Sequence, residues 1–269
     1  MHPAPDETLT LASGHVVQIY GRLASTSQTA RQLVENAPAA PTGLWVMADQ
    51  QTDGVGRRGR TWHQQHGDFA ATLILPLPTR DEGNASHSFI AALSVREAIA
   101  AIFANTSSAQ APGPTVQVKW PNDILVNGQK TAGLLLELIL REGRAFLTLG
   151  IGINVVGHPA DLPYPATHLG AHLGPDDPMP QTRAILKSID TRLMAWRRQW
   201  QTSGFEPVRA AWLAAAAGLG KDITVRLPDR TVTGRFAGLD ASGQLILGTA
   251  VGTELINTGD VFFGALPSD

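Results

Sequence analysis

Four short segments carry most of the side chains that could do chemistry. Residues 48–62 form the first, which combines three glycines with three arginines: Gly54, Gly56, Gly59, Arg57, Arg58 and Arg60. Glycine lets backbone N–H groups approach a ligand closely, and guanidinium groups recognise carboxylate or phosphate through paired donors. The composition therefore favours an anion site, although taken alone it also fits a solvated basic loop.

This loop matches two phosphate-binding patterns by letter. One is G-x-G-x-x-G, and the other is a P-loop with Arg60 in place of its lysine. Both patterns require a helix that starts at the loop. Here an apolar run typical of a strand follows at 69–75, so the sequence argues against both readings.

The second segment is Lys119-Trp-Pro-Asn-Asp123, followed by Lys130 and Gly133. Pro121 directs the chain out of a strand, and a hairpin turn at residues 127–128 brings Lys130 back. An amide, a carboxylate and an ammonium group then converge, which suits a polyphosphate with its Mg²⁺. A structural ion pair at a strand end is the alternative interpretation.

Two further segments offer polar groups. Glycines interrupt an apolar strand in Gly150-Ile-Gly-Ile-Asn154, which indicates either close approach of a ligand or a strand bulge. The hydroxyls of Ser25, Thr26 and Ser27 precede a helix over 29–37 and outnumber those that one helix cap needs. The spare hydroxyls could bind a polar ligand group.

The surrounding elements predict an α+β fold with a mixed or antiparallel sheet that carries helices on one face. Strands are predicted over 16–20, 44–47, 69–77, 116–119, 124–126, 131–140 and 145–155, and helices over 86–104, 182–202 and 206–217. From residue 220 the pattern changes to short alternating runs that indicate a small antiparallel barrel. The expected division is a loose tail at 1–15, a catalytic domain at 16–219 and a C-terminal domain at 220–269.

Composition excludes several classes of protein. The chain of 269 residues is 43% hydrophobic with a net charge of −2, so its arginines form a local cluster on a near-neutral protein. Cysteine is absent, which excludes disulfides and thiolate chemistry. His168 and His172 have the spacing of a metal pair but no acidic third ligand nearby. We expect no membrane segment and a cytoplasmic location.

The ordered segments resemble the bacterial biotin protein ligases. The resemblance rests on Gln51-x-x-Gly54-x-Gly-Arg-Arg-Gly-Arg-x-Trp62, Lys119-Trp-Pro-Asn-Asp123, Lys130-x-Ala-Gly133 and Gly150-x-Gly-x-Asn154, and it spans roughly residues 16–264. It implies that biotin and ATP react to biotinyl-5′-AMP and that biotin then passes to a lysine of a biotin carboxyl carrier protein. It also implies an SH3-like C-terminal domain.

The resemblance assigns a role to each site residue. Lys130, Arg57 and Asp123 would be catalytic, with Asp123 orienting the acceptor lysine or simply pairing with Asn122. The expected biotin-binding residues are Ser25, Thr26, Gln51, Gly54, Val55, Arg57, Lys130 and Gly133. Those expected at ATP or the adenylate are Arg57, Arg60, Trp62, Asn122 and Asn154, with Mg²⁺ on the polyphosphate and no metal ligand assigned from the protein.

Some positions depart from the family pattern. Val55 replaces an arginine, at a position where the backbone is expected to make the contact, and Ser27 replaces an asparagine. Fewer than 20 residues precede the first predicted strand, so we expect no DNA-binding domain; a homodimer is one assembly that the resemblance suggests. A lipoate or octanoate ligase or transferase, and a non-catalytic biotin-binding module, are the alternative functions.

Overall fold

The computed structural model describes residues 3–77, 84–106 and 113–263. The strands are β1 (Glu7–Thr10), β2 (Val16–Leu23), β3 (Leu44–Gln51), β4 (Gly54–Val55), β5 (Thr61–Trp62), β6 (Phe69–Leu77), β7 (Val116–Lys119), β8 (Asp123–Val126), β9 (Gln129–Arg141), β10 (Arg144–Ile153), β11 (Asp222–Arg226), β12 (Thr231–Leu239), β13 (Leu245–Thr249), β14 (Gly252–Ile256) and β15 (Asp260–Phe262). The α-helices are α1 (Thr26–Asn36), α2 (Asn84–Ala104), α3 (Thr182–Ser203) and α4 (Glu206–Ala214).

Eight strands form the main sheet, in the order β1-β2-β3-β6-β10-β9-β8-β7. β2 and β3 are parallel and are connected by α1, whereas the other neighbouring pairs are antiparallel. Both tight hairpin turns have positive φ angles. Asn127 at 49° and Gly128 at 78° are residues that favour them, whereas the second turn places Glu142 at 50° before Gly143 at 74°. The predicted mixed α+β sheet is therefore confirmed.

The helices divide unequally between the two faces of this sheet. Val46 and Ile74 pack on one face with Ala30 of α1. The alternate residues of the same strands, such as Trp45, face the larger core beneath α2, α3 and α4. We expected helices on one face; the central strands are apolar at consecutive positions, so both faces need a cover and α1 supplies the second one.

The C-terminal strands form a five-stranded antiparallel sheet in the order β14-β13-β12-β11-β15. Its apolar residues, including Ile223 and Phe236, join the larger core of the main domain. The pairings among the described residues leave β14 and β15 as edge strands, so this sheet is open rather than a closed barrel. It begins at Asp222, close to the predicted boundary.

The prediction of a loose tail at residues 1–15 does not hold for residues 6–15. Glu7–Thr10 pairs with β2, Leu11 is buried, and the His15 ring contacts Asp190 of α3 at 2.6 Å. The segment looked like a tail because it is mostly polar. An edge strand needs apolar residues only on its inner face, and here Leu9 packs against the core.

Two other predictions concern α2 and the loop after it. By length and composition α2 is the only helix within the described residues that could span a membrane, but 61% of its apolar window is buried inside the protein. The predicted loop over 105–114 lies largely outside the described residues, which do not include 107–112.

Candidate functional site

One cavity lies over β9 and β10, where the glycine and arginine loop, the start of α1, the end of β7 and β15 meet. Side chains from both sheets line it. The segments that the sequence singled out therefore surround one cavity.

Two paired glycines form its floor. Gly133 of β9 is the cross-strand partner of both Asp123 on β8 and Gly152 on β10. A Cβ at Gly152 would overlap the indole of Trp62, and one at Gly133 would lie 3.2 Å from that ring. The register between β9 and β10 is continuous here, so the strand bulge that we considered is absent. Because these glycines have no side chain, the Trp62 ring can approach the backbone of the sheet closely.

An ion pair stands beside this floor. Lys130 Nζ lies 2.8 Å from Asp123 Oδ1, and each side chain keeps 19% of its surface exposed. The same ammonium lies 5.1 Å from the ring centroid of Tyr164. Asn122 is fixed next to the pair because its backbone C=O accepts from Leu134 N at 3.0 Å and its amide donates to the Leu134 C=O. The predicted convergence of amide, carboxylate and ammonium is present, and it includes the ion pair considered as an alternative.

Arg57 approaches the same motif from the loop. Its guanidinium donates to Asn122 Oδ1 at 3.0 Å and to Thr258 Oγ1, between β14 and β15, at 3.1 Å. Burial lowers the pKa of Arg57, and the attraction of Asp260 opposes that shift. Arg57 therefore holds a partly desolvated positive charge against neutral oxygens.

The rest of the loop is tied to the C-terminal sheet. Asp260 accepts from Arg58 at 3.2 Å and from Arg60. β4 pairs with β5, and Arg58 has a positive φ of 56° followed by Gly59 at 72°. The loop is therefore a folded segment, and the simple solvated-loop interpretation does not hold.

The opposite end of the cavity is formed by the start of α1. Gln51 Oε1 accepts from the backbone N–H of Thr26 at 2.8 Å and from its hydroxyl at 3.1 Å. Ser27 Oγ lies 3.2 Å from Thr72 Oγ1. Ser25 caps the helix by accepting from Gln28 N at 3.4 Å. One hydroxyl therefore serves as the cap, and Thr26 and Ser27 line the cavity.

Most of the predicted site residues line this cavity: Thr26, Gln51, Val55, Arg57, Arg60, Trp62, Asn122, Asp123, Lys130 and Gly133. Three do not. Ser25 is buried as a cap, and Gly54 packs against the backbone of Trp62. Asn154 lines an adjoining smaller cavity, and its amide donates to the Thr167 C=O at 3.0 Å.

The sequence interpretation gave no role to four lining residues, Lys119, Tyr164, Asp260 and Phe262. Lys119 was recognisable as one of only four lysines in the chain. Asp260 lies some 200 positions from the loop that it contacts, and Phe262 contacts the distant Lys119. No local pattern links such distant segments. The two histidines with metal-pair spacing, His168 and His172, do not line this cavity. His168 contacts His158, and His172 contacts Thr167.

Comparison with known proteins places the fold in a class. The Biotin/lipoate A/B protein ligase family matches residues 20–154, and the Biotin protein ligase C terminal domain matches residues 218–264. The solved biotin protein ligase from Aquifex aeolicus in complex with biotin and ATP has a TM-score of 0.75, with 24% identity over 91% of this chain and 97% of that chain. Fold and cavity therefore define a ligase of the biotin/lipoate class.

Curated relatives narrow the class further. The chain is 37% identical to the biotin--[acetyl-CoA-carboxylase] ligase of Paracoccus denitrificans, over 90% of this chain and 99% of that protein. It is 34% identical to the bifunctional ligase/repressor BirA of Bacillus subtilis, over 90% of this chain and 72% of that protein. The chain belongs to the biotin protein ligase family, as the resemblance predicted, and it is an enzyme.

Proposed function

We propose that the protein activates biotin with ATP to form biotinyl-5′-AMP and then transfers biotin to a lysine of a biotin carboxyl carrier protein, in acetyl-CoA carboxylase or another carboxylase. The observation that carries this proposal is the approach of Arg57 and Lys130, from separate turns, to the Asn122–Asp123 corner of one cavity.

The first step joins two anions. A carboxylate oxygen of biotin attacks the α-phosphorus of ATP, the bond to the bridging oxygen breaks, and pyrophosphate leaves. Repulsion between the reactants must be neutralised and their encounter must be oriented. Lys130 and Arg57 supply positive charge at that point, and the glycine floor allows the reactants to lie against the backbone.

The second step transfers the biotinyl group. The neutral amine of the acceptor lysine attacks the acyl carbon, AMP leaves with the phosphate oxygen, and one proton is released. Asp123 is placed to hold that amine if Lys130 turns toward the phosphate. The mixed anhydride must be kept from water, and the arginine loop tied to Asp260 provides the cover.

Mg²⁺ enters the proposal with the nucleotide. The cavity carboxylates Asp123 and Asp260 are both engaged by cationic side chains. No group of three His, Cys, Asp or Glu side chains suited to a metal occurs among the described residues. Phosphate oxygens of ATP are therefore the proposed ligands of Mg²⁺, which is consistent with the usual binding of this ion.

Four further expectations stay proposals: the location, the absence of DNA and of membrane binding, and the assembly. We propose that the enzyme is located in the cytoplasm, where both ATP and carboxylases occur, and that it binds neither DNA nor a membrane. We also propose a homodimer formed through an edge of the main sheet. Backbone bonds from residues 215–217 cover the β7 edge, whereas β1 is an open edge. Gel-shift, vesicle-flotation and light-scattering measurements test these points.

The function is tested by pyrophosphate release from ATP in the presence of biotin, followed by mass spectrometry of an added carrier domain. We expect biotin-dependent release and a single modified lysine. Binding of biotin without pyrophosphate release would instead support a non-catalytic module. Preferential activation of lipoate or octanoate in competition would move the assignment to the other branch of the class.

A further inference from the structure

We propose that Lys119 binds the β- and γ-phosphates of ATP, the part that leaves as pyrophosphate, and that Phe262 and Phe263 of the C-terminal sheet position its ammonium group. This inference rests on the proposed function and adds a subsite to it. It depends on the charge balance of the cavity and on the order of side chains across the sheet.

The cavity contains more cations than its carboxylates neutralise. Asp123 forms an ion pair with Lys130, and Asp260 forms ion pairs with Arg58 and Arg60. Two cations then remain in the lining, Arg57 and Lys119. Among the described residues, neither has a carboxylate within ion-pair distance.

Lys119 is held by aromatic rings instead of a counter-ion. Its Nζ lies 5.9 Å from the ring centroid of Phe262 and 5.4 Å from that of Phe263. The face of an aromatic ring attracts a cation but does not cancel its charge. Burial lowers the pKa of Lys119, while the attraction of Asp123 opposes the shift. A partly desolvated cation without a counter-ion is costly, and an anionic ligand would compensate it.

The position of Lys119 selects the polyphosphate rather than the biotin carboxylate. Ser27, at the α1 end, contacts Thr72 on β6, whereas Lys119 ends β7. Four strand spacings separate β6 from β7, which is about 19 Å across the sheet. Lys130 and Asp123 lie between these ends. A biotin whose carboxylate reaches Lys130 leaves the far end, with Lys119, for the leaving phosphates.

A conservative pair of variants tests the role of the charge. Lys119→Met should raise the KM for ATP and the inhibition constant of inorganic pyrophosphate by about 10- to 100-fold, the usual loss for a contact to a charged group. Lys119→Arg should restore most of both. Biotin affinity, measured by calorimetry, should change less than about twofold because the biotin end is remote.

The second half-reaction separates this role from a structural one. Chemically prepared biotinyl-5′-AMP carries no leaving phosphates, so Lys119→Met should transfer biotin from it to the carrier at the wild-type rate. Lys187→Met, on the exposed surface of α3, is the matched control. Thermal unfolding of each variant monitors the fold.

The outcomes are distinct. If the wild-type protein forms no adenylate, the proposed function fails first. If the wild-type protein forms the adenylate, and Lys119→Met keeps the wild-type KM for ATP and the wild-type inhibition by pyrophosphate, then Lys119 does not bind the leaving phosphates. Equal losses of adenylation, transfer and biotin binding in Lys119→Met would also overturn the inference, because they indicate an interface residue only.

Discussion

Lys130 offers the most direct test of how the site works. Its ammonium lies 2.8 Å from Asp123 Oδ1, and the two side chains are one-fifth exposed. In Lys130→Met the stem is kept and the charge is removed. Two unit charges about 4 Å apart interact by roughly 4 kcal/mol at an effective dielectric of about 20. At about 1.4 kcal/mol per factor of ten, the adenylation rate should fall roughly 10³-fold.

The same substitution leaves Asp123 without its partner. For an assumed separation of about 8 Å, an uncompensated carboxylate would repel the reacting phosphate by roughly 2 kcal/mol at the same dielectric. Adding Asp123→Asn to Lys130→Met should therefore recover about 10- to 30-fold of the lost rate. The recovery applies only to adenylate formation, since Asp123 has a separate proposed role in transfer.

Rapid-quench measurement of biotinyl-5′-AMP at saturating biotin and ATP provides the rates. Lys187→Met serves again as the control for loss of a lysine charge. A Lys130→Met enzyme that kept more than about a tenth of the wild-type rate would refute the role of the charge. A double variant no faster than the single one would refute the calculated repulsion by Asp123.

Three further predictions concern the floor, a buried charge and acid stability. Gly152→Ala should destabilise the fold by about 1–3 kcal/mol in urea unfolding, because the new methyl group overlaps the Trp62 indole. Gly113→Ala, where no atom of the described residues lies within 4 Å of the added carbon, should be neutral. Asp190→Ala should cost about 3 kcal/mol, since Asp190 is 2% exposed and accepts from Trp45 Nε1 at 2.9 Å; an unchanged midpoint would contradict this. Burial lowers the pKa of His168 below its ordinary 6.5, so the neutral form is favoured on folding. The stability that follows from this neutral form is complete above about pH 6.5 and is lost as the pH falls through the folded-state pKa. In His168→Gln the free energy of unfolding should therefore depend less steeply on pH. An unchanged slope would count against this prediction.

Sequence patterns predicted the strands and helices near the site well where the cause is local. The β6 boundary follows from an apolar run, and β7 follows from alternating apolar residues after a glycine- and proline-containing segment. The first hairpin follows from Asn127 and Gly128, which tolerate positive φ, and in the second Gly143 is the residue that does so. β1 was missed because a polar edge strand is stabilised by its partner, β2, and carries little apolar signal of its own.

The site was predicted only in part, for a related reason. Lys130, Asp123 and Arg57 belong to motifs with recognisable composition, so their convergence could be expected. Asp260 and Phe262 enter the cavity through packing of the second sheet on the first, and only the tertiary structure brings them there. Ser25 was placed among ligand contacts because a helix cap and a binding hydroxyl look alike in sequence.

The attachment of β15 to the arginine loop has a consequence for protein engineering. A version shortened to the matched ligase segment, residues 20–154, would lose Asp260, which pairs with Arg58 and Arg60. It would also lose Phe262, whose ring lies near the Lys119 ammonium. The strand-like bonds of Val118 with residues 215 and 217 would also be lost, because the matched segment ends at residue 154. Swapping C-terminal modules between homologues therefore requires that the acid and its two arginines be exchanged as one unit.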